Sequence, residues 1–127
     1  MPVADHLLAP VRSLVLDLPG VEEVGEGSVG DPVWKVRGKI FVMQHGHEGR
    51  PSLWFKAPAG MQEALVSQQP NLWFRPPYVG SKGWVGVWLD KDLPWPDVLD
   101  HIEEAWEMTA SKTQVKQRAA APPDARS

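Results

Sequence analysis

The chain reads as an α+β protein: a two-layer sandwich with a mainly antiparallel sheet and its helices on one face. Three observations predict it. Apolar residues recur at helical spacing near both ends of the chain. The middle holds strand-length runs of alternating character, punctuated by glycine-containing turns. The connections between those runs are too short for the crossovers a parallel sheet needs. The expected order is helix, three strands, helix, two strands, helix.

The first helix rests on Leu7, Val11, Leu14, Val15 and Leu18. Pro10 lies within this stripe, where it either opens the helix or kinks it. Leu18-Pro19-Gly20 ends it, and Val21 to Gly30, with three glycines and three glutamates, reads as a loop. Val33–Val36 and Lys39–Gln44 form a hairpin around the two-residue turn Arg37-Gly38, which sets Trp34 opposite Phe41 and Lys35 opposite Ile40. Gly46 to Pro51 is the next turn and Ser52–Ala57 the third strand. A short helix carries Met61, Ala64, Leu65 and Gln68. Strands follow over Leu72–Arg75 and Trp84–Leu89. The last helix opens at Pro94–Pro96, with Val98, Leu99, Ile102, Ala105 and Trp106 as its stripe and acids over the rest. Residues 1–112 form a single domain; 113–127, poor in apolar side chains, are expected to be a disordered tail.

Composition narrows the function classes. With 127 residues there is room for one real core. The chain has no cysteine, which excludes disulfides, thiolate metal sites and cysteine nucleophiles. There is no signal-peptide pattern and no apolar run of membrane-spanning length, so a soluble cytoplasmic protein without a membrane partner is expected. The net charge of -3 conceals an asymmetry. Residues 1–31 net -5, residues 32–89 net +5 and residues 90–127 net -3. A basic block between acidic flanks hints at an anionic partner; it is also what a sheet bearing Lys and Arg between acidic helices produces.

The segment from Leu72 to Asp90 concentrates tryptophan, tyrosine and cations around a glycine-rich loop. Alternation sends Val85, Val87 and Leu89 to one face and Trp84, Gly86 and Trp88 to the other; Leu53, Phe55 and Ala57 likewise oppose Ser52, Trp54 and Lys56. If the aliphatic sets face the helices, then Trp54, Lys56, Trp84 and Trp88 share the opposite face. Indoles beside cations are the composition that stacks bases and meets phosphates. The same rings also fit a sheet covered by the Pro76–Gly83 loop, or a dimer interface. In the loop, Arg75, Tyr78, Ser81 and Lys82 lie among Gly80 and Gly83, an arrangement open to an anion but not in P-loop order.

Other constellations are weaker. His45-Gly46-His47-Glu48 falls in an expected hairpin turn with no third ligand, so no metal site and no cofactor are predicted. No Gly-x-Ser-x-Gly elbow, no dinucleotide fingerprint and no recognisable carboxylate pair is present, so no catalytic residue is assigned and an enzyme is not expected.

Four motifs in order carry a resemblance: Leu18-Pro-Gly-Val-Glu-Glu23, Trp34-Lys-Val-Arg-Gly-Lys-Ile-Phe41, the Pro77-Tyr78 to Val85 run, and Leu89-Asp90 followed by a helix. Over about residues 10–112 the chain resembles the MmcQ/YjbR family. Lys35, Gly38, Lys39, Pro77, Tyr78, Gly80, Gly83 and Trp84 match its pattern best; Trp106 stands where tyrosine is common, and the segment before Pro32 lacks an aromatic often found there. The resemblance implies a compact α+β domain similar to secretion-chaperone and frataxin-like sandwiches, a DNA-binding label and no catalytic residues. The expectation is a non-enzymatic module binding nucleic acid. Lys35, Arg37, Lys39, Arg75 and Lys82 would meet phosphates, while Trp54, Tyr78, Trp84 and Trp88 contact the ligand. Two alternatives stand beside it: a protein-interaction or homodimerisation domain using the aromatic face, and a small anionic-ligand pocket around Tyr78, Lys82 and Trp84.

Overall fold

The computed structural model describes residues 5–25 and 31–120. Helix α1 (Asp5–Val15) leads into strands β1 (Val21–Val24), β2 (Val33–Val36), β3 (Lys39–His47) and β4 (Arg50–Phe55). Helix α2 (Met61–Gln68), strand β5 (Trp73–Phe74), a 3-10 turn (Val79–Lys82), strand β6 (Val85–Trp88), and helices α3 (Trp95–Thr109) and α4 (Lys112–Ala120) follow. The six strands lie in the order β1-β2-β3-β4-β6-β5, and every neighbouring pair is antiparallel. The two-layer α+β architecture is as expected, with one more strand and one more helix.

The extra strand is β1, expected to be loop. Its Val-Glu-Glu-Val run pairs along the whole of β2, Val21 opposite Val36 and Val24 opposite Val33. Glu23 secures it by accepting hydrogen bonds from Arg12 of α1 (3.0 and 3.1 Å) and from the Trp34 indole (2.9 Å). The extra helix is α4, which starts at Lys112 and takes up 113–120 of the expected disordered tail. It opens on a capping box: the Ser111 N–H donates to the Gln114 side chain (2.9 Å) and the Gln114 N–H to the Ser111 hydroxyl (3.1 Å). Buried Arg118 anchors its far end, donating to Asp17 (3.1 Å) and Glu103 (3.2 Å). The rest of that tail, 121–127, and residues 26–30 of the expected loop lie outside the described residues.

Two hairpins differ from expectation in register. Arg37 and Gly38 both have positive φ (57° and 73°), which makes the tight two-residue turn that suits strand twist. Lys35 does face Ile40, but Trp34 faces Val42 rather than Phe41, because a bulge between Trp34 and Lys35 leaves Phe41 as the extra residue. Phe41 and Val42 are consequently both buried in the core. The next hairpin turns at Glu48-Gly49 (φ 54° and 73°), so β3 and β4 each run two residues into the predicted turn at Gly46–Pro51. His45 and His47 are therefore strand residues.

The helix-side core gathers Leu8, Val11 and Val15 of α1, Trp34 and Val36 of β2, Leu53 and Phe55 of β4, Trp73, Val85 and Val87 of β5 and β6, and Val98, Ile102 and Trp106 of α3. Leu65 and Leu72 extend it beneath α2. The large buried rings have polar satisfaction: Trp106 Nε1 donates to Pro19 O (3.1 Å) and Trp73 Nε1 to the Gln69 side chain (3.2 Å).

Candidate functional site

Strand directions define two rims. One, here the upper rim, carries the Arg37-Gly38 turn, the start of β3, the end of β4 and the loop joining β5 to β6. The lower rim carries the Glu48-Gly49 turn and Asp90, just after β6.

Alternation holds for the indoles. Trp54 and Trp88 lie on the face away from the main core, as expected, with Gly86 directly opposite Trp54 and Trp88 opposite Ser52 in register. Their exposure does not follow the open-face reading: Trp54, Trp84 and Trp88 are 3%, 9% and 6% exposed. The chain covers this face with its own side chains. His45 stacks on Trp54 with centroids 4.1 Å apart. Phe74 stacks on Trp88 at 4.2 Å and on His47 at 4.8 Å. The Arg50 guanidinium sits 3.8 Å above Trp88 while hydrogen bonding both Asp90 oxygens at 2.8 Å. Gly86 makes this possible, since a Cβ there would collide with the Phe74 ring. Trp54 Nε1 donates to the Ser52 hydroxyl (3.0 Å), which donates to His45 O (2.5 Å). The three indoles expected to contact ligand or a second copy are thus closed within one chain. Sequence reasoning missed His45, His47, Arg50 and Phe74 as the cover; the signal was an x-Gly pair at Glu48-Gly49 with alternating residues on both sides.

The upper rim differs. Arg37, Lys39, Lys56, Arg75 and Lys82 come from three separate chain segments, the β2–β3 hairpin, the end of β4 and the β5–β6 loop, to this one edge. Among the described residues none of these five forms an ion pair with a carboxylate. Arg37 donates to Thr109 O at the end of α3 (3.3 Å). Burial, with the neighbouring Lys39 ammonium adding repulsion, pulls Lys56 below the usual lysine range. Lys35 is half-buried, one residue in from the turn, on the face shared with Ile40. Across about three to four strand spacings the rim spans roughly 15–20 Å, a length matching about five successive phosphates of one DNA strand.

Tyr78 stands at the same edge with its ring 90% exposed. Its backbone (φ 63°, ψ -72°) and the 2.7 Å bond from the Val79 N–H to Pro77 O form a γ-turn of the rare positive-φ kind. The loop beneath is firmly held. Buried Gln62 of α2 donates to Gly80 O (2.8 Å) and Trp84 O (2.6 Å), and the Arg75 side chain packs where Gly80 lacks a Cβ. Tyr78, Lys82 and Trp84 therefore do not enclose a pocket: one ring is in solvent and the other is buried. A cleft of about 310 Å³ lies elsewhere, among Leu65, Gln68, Trp73, Asp97, Asp100 and His101, and its carboxylates are unsuited to an anion. Among the described residues no group of three or more His, Asp or Glu could hold a metal ion, and no helix is long and apolar enough to cross a membrane.

The fold and its two sheet faces define the class: an antiparallel α+β domain with one face covered by helices and the other by its own aromatic side chains. The chain belongs to the YjbR family, whose profile matches residues 16–108. It is 28% identical over 98 residues to the uncharacterized protein YbdF of Escherichia coli O157:H7, covering 76% of this chain and 79% of YbdF. The crystal structure of Deinococcus radiodurans protein DR2400, a DUF419 domain, is similar with a TM-score of 0.70 at 19% identity, over 84% of this chain and 83% of that one. That likeness establishes the shared fold.

Proposed function

We propose that the protein is a non-enzymatic binding module that engages nucleic acid along the upper rim of its sheet. One observation carries this reading: Arg37, Lys39, Lys56, Arg75 and Lys82 share one edge with no carboxylate paired to any of them among the described residues. Unpaired cations in a row favour a polyanion, because each phosphate contact releases a condensed counterion. The lowered Lys56 supports it further, since a phosphate near Lys39 and Lys56 would relieve their mutual repulsion. The contacts run to the backbone of the nucleic acid, so little sequence preference follows from them.

Fluorescence anisotropy with labelled oligonucleotides across a salt series tests this. Five contacts predict a slope of log affinity against log salt of about -3.5 for single strands and about -4.5 for duplex. Lys39→Glu and Lys82→Glu should each weaken binding and make the slope shallower by about one. Binding that ignores salt, or no binding at low salt, overturns the reading.

A further inference from the structure

Within that reading, on which it rests, we infer that Tyr78 is a stacking post for an unpaired base, so that the nucleic acid bound is single-stranded. An aromatic ring left 90% in solvent forgoes burial that the core offers to every tryptophan in this region. Chance exposure on a slack loop does not describe it. The backbone at Tyr78 adopts a strained γ-turn, and strain of that kind persists only where the surroundings enforce it. Here they do. Gln62 ties two loop carbonyls to α2, Arg75 fills the space above Gly80, and the Ser81 hydroxyl donates to Tyr78 O (2.8 Å). The backbone that carries the ring is thereby held in place before binding, the economy that preorganisation provides.

The flanking charges identify the partner. Exposed Arg75 and Lys82 lie within four residues on either side of Tyr78, and Lys56 and Lys39 continue along the rim. A flat ring between cations complements a flat base joined to phosphates. Duplex DNA hides its base faces within the stack, so only an unpaired strand offers a face to the phenol ring.

Anisotropy with a labelled oligothymidine and with a duplex of equal length separates the possibilities. The wild-type protein should prefer the single strand. Tyr78→Ser should lower single-strand affinity about five- to a hundredfold while changing duplex affinity less than about twofold, and Tyr78→Phe should retain the single-strand affinity. An unchanged single-strand affinity in Tyr78→Ser, or equal loss on both forms, overturns the stacking role. If Lys39→Glu weakens both forms at the same time, the rim reading survives that failure. Polyglutamate bound as tightly as oligothymidine, and lost in Tyr78→Ser, would assign the post to an acidic peptide and overturn the inference. Failure of the wild-type protein to bind either strand form overturns the rim reading and the stacking role together.

Discussion

The two rims of the sheet handle charge and aromatic surface in opposite ways. At the lower rim, Arg50 is held by both oxygens of Asp90 and laid over Trp88, and His47 and Phe74 complete a closed stack. At the upper rim, Lys39, Lys56, Arg75 and Lys82 have no carboxylate partner among the described residues, and Tyr78 projects into solvent. Similar residue types thus serve stability at one end and stand available at the other. The contrast teaches that a cation beside an aromatic ring is not a site in itself. What matters is whether the chain has already supplied its counterion and its cover.

The sharpest way to break this contrast is to remove a ring from the closed face. Trp54→Ala should destabilise the protein by about 3–5 kcal/mol, read from urea unfolding, with oligonucleotide affinity of the folded protein unchanged. A binding loss without a stability loss would move the site to the closed face. Gly86→Ala should come next, at about 1–3 kcal/mol, because the new methyl group occupies the space of the Phe74 ring. Stability equal to wild type would mean that the stack is not tightly closed.

At the upper rim the expected sign reverses. Tyr78→Gly should raise stability by about 1 kcal/mol, since glycine accepts positive φ, while weakening single-strand binding. A loss of stability would show that the exposed ring is not held against a backbone preference. The smallest effect concerns acid. Hydrogen bonds from Arg50 hold the Asp90 carboxyl below the usual carboxylate range. A depressed folded-state pKa contributes stability above the unfolded value of about 3.9, and that contribution disappears as pH falls through the folded value. Thermal melts of Asp90→Asn should therefore show a shallower acid limb than wild type. An upper-rim change such as Lys82→Gln should leave that limb unaltered, and a matching change there would erase the distinction between the rims.

Much of the fold was legible. Helical spacing placed α1, α2 and α3, and alternation assigned Leu53, Phe55, Val85 and Val87 to the helix side. The failures have physical causes. Strand β1 is half glutamate, and its stability comes from Arg12 and Trp34 meeting Glu23, contacts that no local pattern announces. Helix α4 has scarcely any apolar stripe, although the Ser111–Gln114 capping box was present in the sequence. The bulge at Phe41 shifted the hairpin by one residue, a change invisible to a strict two-residue period.

Legibility of the candidate site followed the same division. The face of each indole could be read from alternation; its exposure could not, because the cover depends on His45 and His47 lying on β3 and on Phe74 crossing Gly86. The basic block between residues 32 and 89 was visible as composition. That five of its cations reach one edge is a property of strand order, which brings Arg75 and Lys82 to the same end as Arg37 and Lys39.

Helix α4 contributes Val115 to the periphery of the core, lays Gln114 against Gly20, and is tied down by one guanidinium shared between Asp17 and Glu103. The last described segment is thereby buckled to the first helix's trailing end, 101 positions earlier in the chain. A buckle this deeply buried is screened little by dissolved ions, so it gives way to loss of its charge rather than to salt. Arg118→Gln should loosen this clasp ahead of the sheet, so that amides of 112–120 exchange early while those of β3 and β4 remain locked.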